Sequence, residues 1–176
     1  GYELATGKEL WKLVGGGDVP VPPPLVHEDV VFLTSAPGRL APLRALLLTA
    51  EGEIPAHPAE SEHRLWELPN AGIYMQTPLL YESELYACND AGILACHDAA
   101  TGERHYRERL GDGSYGFSAS AVAGDGKLWF TSESGLVHVL APGPKFERLA
   151  TCDLGETCLA TPALSAGRLF FRTRTQ

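Results

Sequence analysis

Apolar and polar residues alternate along this chain in short runs separated by breaks rich in glycine and proline, which is the pattern of β-strands with one face buried. LVHEDVVFLTSAPGRL, residues 25–40, alternates around Phe32 and turns at Pro37-Gly38. PLLYESELYACNDAGILACHDAATGERHYRERL, residues 78–110, and AVAGDGKLWFTSESGLVHVLAPGPKFERLATCDL, residues 121–154, carry the same rhythm through several predicted strands each. The last run, TPALSAGRLFFRTRTQ, supplies two more. In the three longer runs the strand after the aromatic ends in a polar pair, Thr34-Ser35, Cys88-Asn89 and Thr131-Ser132, and a glycine follows three residues on, at Gly38, Gly92 and Gly135.

These runs are copies of one another. Pro78-Leu79, Ser120-Ala121 and Pro162-Ala163 recur at 42 residues, and an aromatic follows eight residues past the first and third starts and nine past Ser120, where AGDGK adds one: Tyr86, Trp129 and Phe170. An upstream copy begins at Pro24-Leu25 with Phe32, its spacing stretched by a polar, proline-containing insertion, EIPAHPAESEH. A repeat of this length holding several short strands is the signature of a propeller blade. ATGKELW at residues 5–11 matches AATGERHY at 99–106, so the chain opens on the outgoing part of a unit, with Gly7 and Gly102 free to take the positive φ of a tight turn.

The expected fold is therefore all-β: a β-propeller of four-stranded antiparallel blades, about four blades' worth, three complete plus one split between the termini. Residues 1–14 read as outer strands of the split blade, 22–68 as a blade with an insertion at 50–63, 76–110 and 117–155 as the next blades, and 160–176 as the inner strands of the split blade. Such a segment can close on itself, pair with a second copy as a homodimer through the split blade, or belong to a larger 7- or 8-bladed ring; the last is the reading favoured here, because blades are stabilised by their neighbours.

The net charge of -8 argues against nucleic acid or an anionic membrane surface as partner, since both require clustered Lys and Arg. No apolar run approaches the length of a membrane span, so direct membrane insertion is not expected.

T-G-x-x-x-W after an outgoing strand, TP-x-L opening a repeat and S-x-x-G-x-L at the hairpin resemble the pyrroloquinoline-quinone-like propeller repeat. The resemblance implies that an aromatic near each outer strand docks on the adjacent blade: Trp11 and Trp66 match that slot, Tyr106 substitutes for it, and Phe146 or Leu149 fills it in the third copy, with Phe32, Tyr86, Trp129 and Phe170 as the structural aromatics of the inner strands. It also implies one of two functions. Some members hold pyrroloquinoline quinone with calcium as alcohol or sugar dehydrogenases; others, such as the outer-membrane assembly lipoprotein, keep the scaffold without a cofactor. The dehydrogenases carry adjacent cysteines over the quinone, and the four cysteines here include no adjacent pair. The expectation is accordingly a non-catalytic scaffold without cofactor.

Cys88 and Cys96 lie on the two arms of one hairpin, but a turn near Ala91 sets Cys88 opposite Leu94 and Cys96 opposite Tyr86, so they read as buried small hydrophobes. Cys152 and Cys158 flank the short connection DLGET and are the candidate disulfide, which would imply an oxidising compartment. Cys96, His97 and Asp98 are consecutive on a strand and alternate faces, so they cannot converge on one ion; His57 and His63 sit in the insertion, where a solvated loop is expected, and no metal site is predicted. The remaining functional surface is the channel rim, formed by the connections that enter each innermost strand. Its candidate binding residues are Tyr74, Gln76, Tyr115, Phe117 and Ser118, with Met75, Phe117 and Leu159 alternatively plugging the channel as core. The function expected is a protein- or peptide-binding scaffold of the bacterial cell envelope, periplasmic or otherwise extracytoplasmic; the alternative is a fragment of a quinoprotein dehydrogenase.

Overall fold

The structure is a computed structural model that describes residues 1–55 and 61–176; His57 lies outside the described residues. Two compact units divide the chain, Gly1–Gly72 and Ile73–Gln176.

In the first unit, β1 (Trp11–Leu13) precedes β2 (Leu25–His27), β3 (Val30–Thr34), β4 (Leu43–Leu47), β5 (Gly52–Ile54) and β6 (Arg64–Leu68). Strands β2-β3-β4-β6 form a four-stranded antiparallel sheet in that order. β5 lies within the stretch expected to be a surface loop. It pairs in parallel with β1, Trp11 opposite Gly52 and Leu13 opposite Ile54. β1 has an apolar seat of its own beside β5: Trp11 and Leu13 pack on Val31, Leu46, Ala50 and Ile54. Trp66 meets Phe32 of the same sheet at a tilt, 5.8 Å between ring centroids. Glu67 accepts from two buried guanidinium groups, Arg44 at 2.7 Å and Arg64 at 2.6 Å, a shared counter-charge that offsets part of the cost of burying them.

The second unit contains two further four-stranded antiparallel sheets and a two-stranded one. The first sheet is β7 (Leu79–Tyr81), β8 (Glu84–Cys88), β9 (Ile93–Asp98) and β10 (Arg104–Arg109); the second is β11 (Val122–Gly124), β12 (Lys127–Thr131), β13 (Leu136–Leu140) and β14 (Arg148–Asp153). β15 (Ala163–Ser165) and β16 (Arg168–Phe170) complete the chain. The register sets Tyr86 opposite Cys96 and Cys88 opposite Leu94, as the turn at Ala91 implied. Glu82, Asp125 and Ala166 take positive φ at matching positions of the first hairpin in each of the three sheets, a strain that the two-residue turn imposes. In all three complete sheets the register slips between the third and fourth strands, a bulge that adds twist to the outer edge.

The core of this unit lies between its two complete sheets. Tyr86, Cys88, Leu94 and Cys96 of the first face Leu128, Phe130 and Leu140 of the second, and Leu110 and Phe117 from the connection close one end. The Gly143 N–H donates to the Tyr86 hydroxyl at 2.7 Å, and Tyr106 meets Phe146 edge-to-face at 5.6 Å. These contacts join one sheet to the next through the aromatic slots. Phe170, in the slot that buries Tyr86, is instead half exposed, since β16 has no third strand beside it. All four cysteines are free. Cys152 and Cys158 do not bridge because β14 turns Cys152 outward while the Cys158 Sγ lies inside, 3.4 Å from the Arg172 carbonyl oxygen.

Candidate functional site

Three connections enter innermost strands in the second unit, and hydrogen bonds fix them to one another at matching repeat positions. The Thr77 N–H donates to the Ser120 hydroxyl at 2.9 Å, and the Ser120 N–H donates to the Thr161 hydroxyl at 3.0 Å. The second and third connections are also caught by a hairpin: the Phe117 N–H by the Asp90 carbonyl, and the Cys158 N–H by the Glu133 carbonyl. Backbone held this way gives rigid placement to whatever side chains project from it.

Those side chains divide sharply. Gln76 is 2% exposed, its amide Nε2 spent on the Phe117 carbonyl, so it positions the next connection and offers nothing to solvent. Phe117 is buried as well, its ring against Gly92 and tilted over the His138 imidazole at 5.9 Å. A Cβ at Gly92 would stand 2.5 Å from that ring, so Gly92 is required there both for its positive φ and for the close approach. Ser118 donates to the Glu133 carboxylate. Tyr74 is partly buried, whereas Tyr115, Met75 and Leu159 stand 52%, 43% and 58% exposed. Of the five rim residues expected from sequence, Tyr115 is the one that projects. Met75 and Leu159, expected as channel plugs, are exposed as well, next in sequence to the buried Gln76 and Cys158.

Behind Tyr115 and Phe117 lies a cavity of about 370 Å³ between the 109–117 connection and the inward face of β13 and β14. Arg109, Leu110, Asp112, Ser132, Leu136, His138, Arg148 and Thr151 complete its wall. A second cavity of about 490 Å³ lies on the other side of Tyr115 and is lined by Glu156, Arg174 and Thr175. There Glu156 accepts from the hydroxyls of Thr173 at 2.8 Å and Thr175 at 2.6 Å, bonds that hold its carboxyl below the usual range.

His138 is the group in this region that sequence reasoning missed. It is 3% exposed, and among the described residues neither ring nitrogen has a hydrogen-bond partner. Burial, with a smaller effect of the Arg148 charge, pushes the imidazole down to about 4. The signal was present in the sequence: in LVHVL the histidine falls in register with Leu136 and Leu140, a polar residue on an apolar stripe. His97, by contrast, reaches the Gly102 carbonyl through Nδ1 at 3.2 Å. Burial pushes the Cys88 and Cys96 thiols up to about 12, which makes both inert.

Among the described residues no three His, Cys, Asp or Glu side chains gather as a metal-binding set.

No protein-family profile and no curated protein matches the chain. Solved structures do. BamB from Moraxella catarrhalis superposes with a TM-score of 0.70 at 15% identity, over 95% of this chain and 47% of that one. The computationally designed Ika4 protein gives 0.71 at 10% identity, over 97% of this chain and 94% of that one. The quinohemoprotein alcohol dehydrogenase ADHIIG from Pseudomonas putida HK5 gives 0.53 at 17% identity, over 77% of this chain and 21% of that one. The chain thus spans about half the length of BamB. Identities at this level speak for the fold alone, and with the repeat and the sheet order they give this chain a β-propeller fold with four-stranded antiparallel blades.

Proposed function

We propose that this propeller segment is a non-catalytic scaffold that binds a protein or peptide through the connections entering its innermost strands, in the extracytoplasmic envelope of a bacterial cell. One observation carries the reading: Met75, Tyr115 and Leu159 project from three successive connections that are tied together by hydrogen bonds from backbone N–H groups to side-chain hydroxyls. Exposed apolar and aromatic side chains on rigid backbone are what a recognition surface needs, since little side-chain entropy is lost on binding. The likeness to BamB supports the scaffold over the enzyme, and the envelope location rests on the same likeness.

The reading is tested by selecting displayed peptides on the chain and measuring their affinity for Met75→Ser and Leu159→Ser variants. A loss of tenfold or more in each supports it. Unchanged affinity in both, or a saturable absorbance change on titration with pyrroloquinoline quinone and calcium, would replace it with another surface or with the dehydrogenase reading.

A further inference from the structure

The cavity behind Phe117 combines three features that no structural role explains together. Its volume of about 370 Å³ is that of a small-molecule site. Its wall is mostly apolar, from Leu110, Phe117 and Leu136, yet it carries two guanidinium groups, Arg109 and Arg148. His138 also lines it, buried with both nitrogens unpartnered among the described residues, a state that is costly for a polar side chain unless something bonds to it.

The charges decide which chemistry fits. Asp112 is the one acidic residue in the wall, and its carboxylate is already taken by the Ser114 N–H at 2.8 Å and the Ser114 hydroxyl. The cationic groups are not cancelled. Arg148 spends a single nitrogen, Nη2, on the Arg109 and Leu110 carbonyls at 3.2 and 2.8 Å, which fixes the fork and leaves it further donors. Arg109 donates through Nη1 to the Ala91 carbonyl at 3.0 Å and is otherwise exposed. A metal cation is therefore repelled, and a fully hydrophilic anion such as phosphate would leave the apolar wall unused. A single carboxylate attached to an apolar or aromatic group satisfies both halves of the wall.

We infer that this cavity is a ligand site for a carboxylate bearing an apolar group, with Arg109 and Arg148 facing the carboxylate, Leu110, Phe117 and Leu136 the apolar part, and His138 supplying a neutral N–H and a lone pair. The same chemistry is offered by a small free acid and by the C-terminus of a peptide ending in an apolar residue. The inference concerns the cavity and not the projecting rim, so it stands or falls apart from the scaffold reading.

The test uses the full chain with N-acetyl-L-phenylalanine, N-acetyl-L-phenylalaninamide and a flexible peptide ending in phenylalanine with a free carboxylate, followed by calorimetry and by the His138 ring resonances. The acid should bind and shift those resonances, with the amide at least tenfold weaker. Arg109→Gln, at an exposed position, and His138→Leu, which removes the unpartnered nitrogens without opening a cavity, should each weaken the acid about tenfold while leaving the melting temperature undiminished. A peptide that binds tenfold tighter than the acid assigns the site to a chain terminus; equal affinity assigns it to a small acid, and either supports the carboxylate. Equal binding of acid and amide, or no movement of the His138 resonances with any of the three, overturns the inference.

Discussion

Tyr86 and Phe170 occupy the same slot of the repeat, yet one is 1% exposed and the other 53%. Both are aromatics on the second strand of their sheets, preceded by a similar hairpin. The difference lies in what stands beside them. Tyr86 has a third and fourth strand in its own sheet and the face of β12 and β13 against it, with Gly143 bonded to its hydroxyl. Phe170 has only β15. In this fold the strand pattern specifies which residues are able to form a core, and the neighbouring sheet turns that ability into burial.

The largest effect that could break the comparison is a pair of truncations. Tyr86→Ala should cost about 3–5 kcal/mol in urea unfolding, from the cavity and the lost hydroxyl acceptor, whereas Phe170→Ala should cost less than about 1 kcal/mol. Comparable losses would mean that Phe170 is covered in solution. Next comes Glu67→Ala, which strips the shared counter-charge from Arg44 and Arg64 and should destabilise the chain by about 3 kcal/mol. An effect no larger than that of an exposed pair such as Lys12–Glu53 would show that water reaches the cluster.

His138 yields a pH dependence with a definite sign. Its folded value, about 4, lies below the ordinary 6.5, so between these pH values the unfolded chain binds the proton that the folded chain refuses. Stability should therefore fall as pH drops from about 6.5 to 4, by as much as about 3 kcal/mol from this residue. His138→Leu should flatten that part of the profile relative to the parent chain; two parallel profiles would show that the imidazole is already charged or solvated. The smallest effect is on thiols. A thiol reagent should modify exposed Cys152 first and without loss of stability, leaving Cys88 and Cys96 unreacted until the chain unfolds. Early reaction of Cys96 would mean that the two sheets part readily.

The propeller was legible because its information is periodic: alternation sets the strands, and the spacing of about 42 residues repeats Tyr86, Trp129 and Phe170 in one slot. What escaped was not periodic. The parallel pairing of β1 with β5 depends on Trp11 finding the seat of Val31 and Leu46, which no local pattern encodes. Gln76 looked like an exposed amide until its reach to the Phe117 carbonyl gave it a buried role, and Cys152 and Cys158 looked paired until strand direction separated them. His138 was readable as a polar residue in an apolar register, but what it lines depends on a connection some twenty residues away in sequence.

Amide hydrogen exchange on the intact chain tests most directly whether neighbouring sheets, rather than strand pattern, confer stability. The account predicts that the central-strand amides of β8, β9 and β12 exchange only with global unfolding, and that those of β15 and β16 exchange orders of magnitude faster. Equal protection of Tyr86 and Phe170 would contradict it.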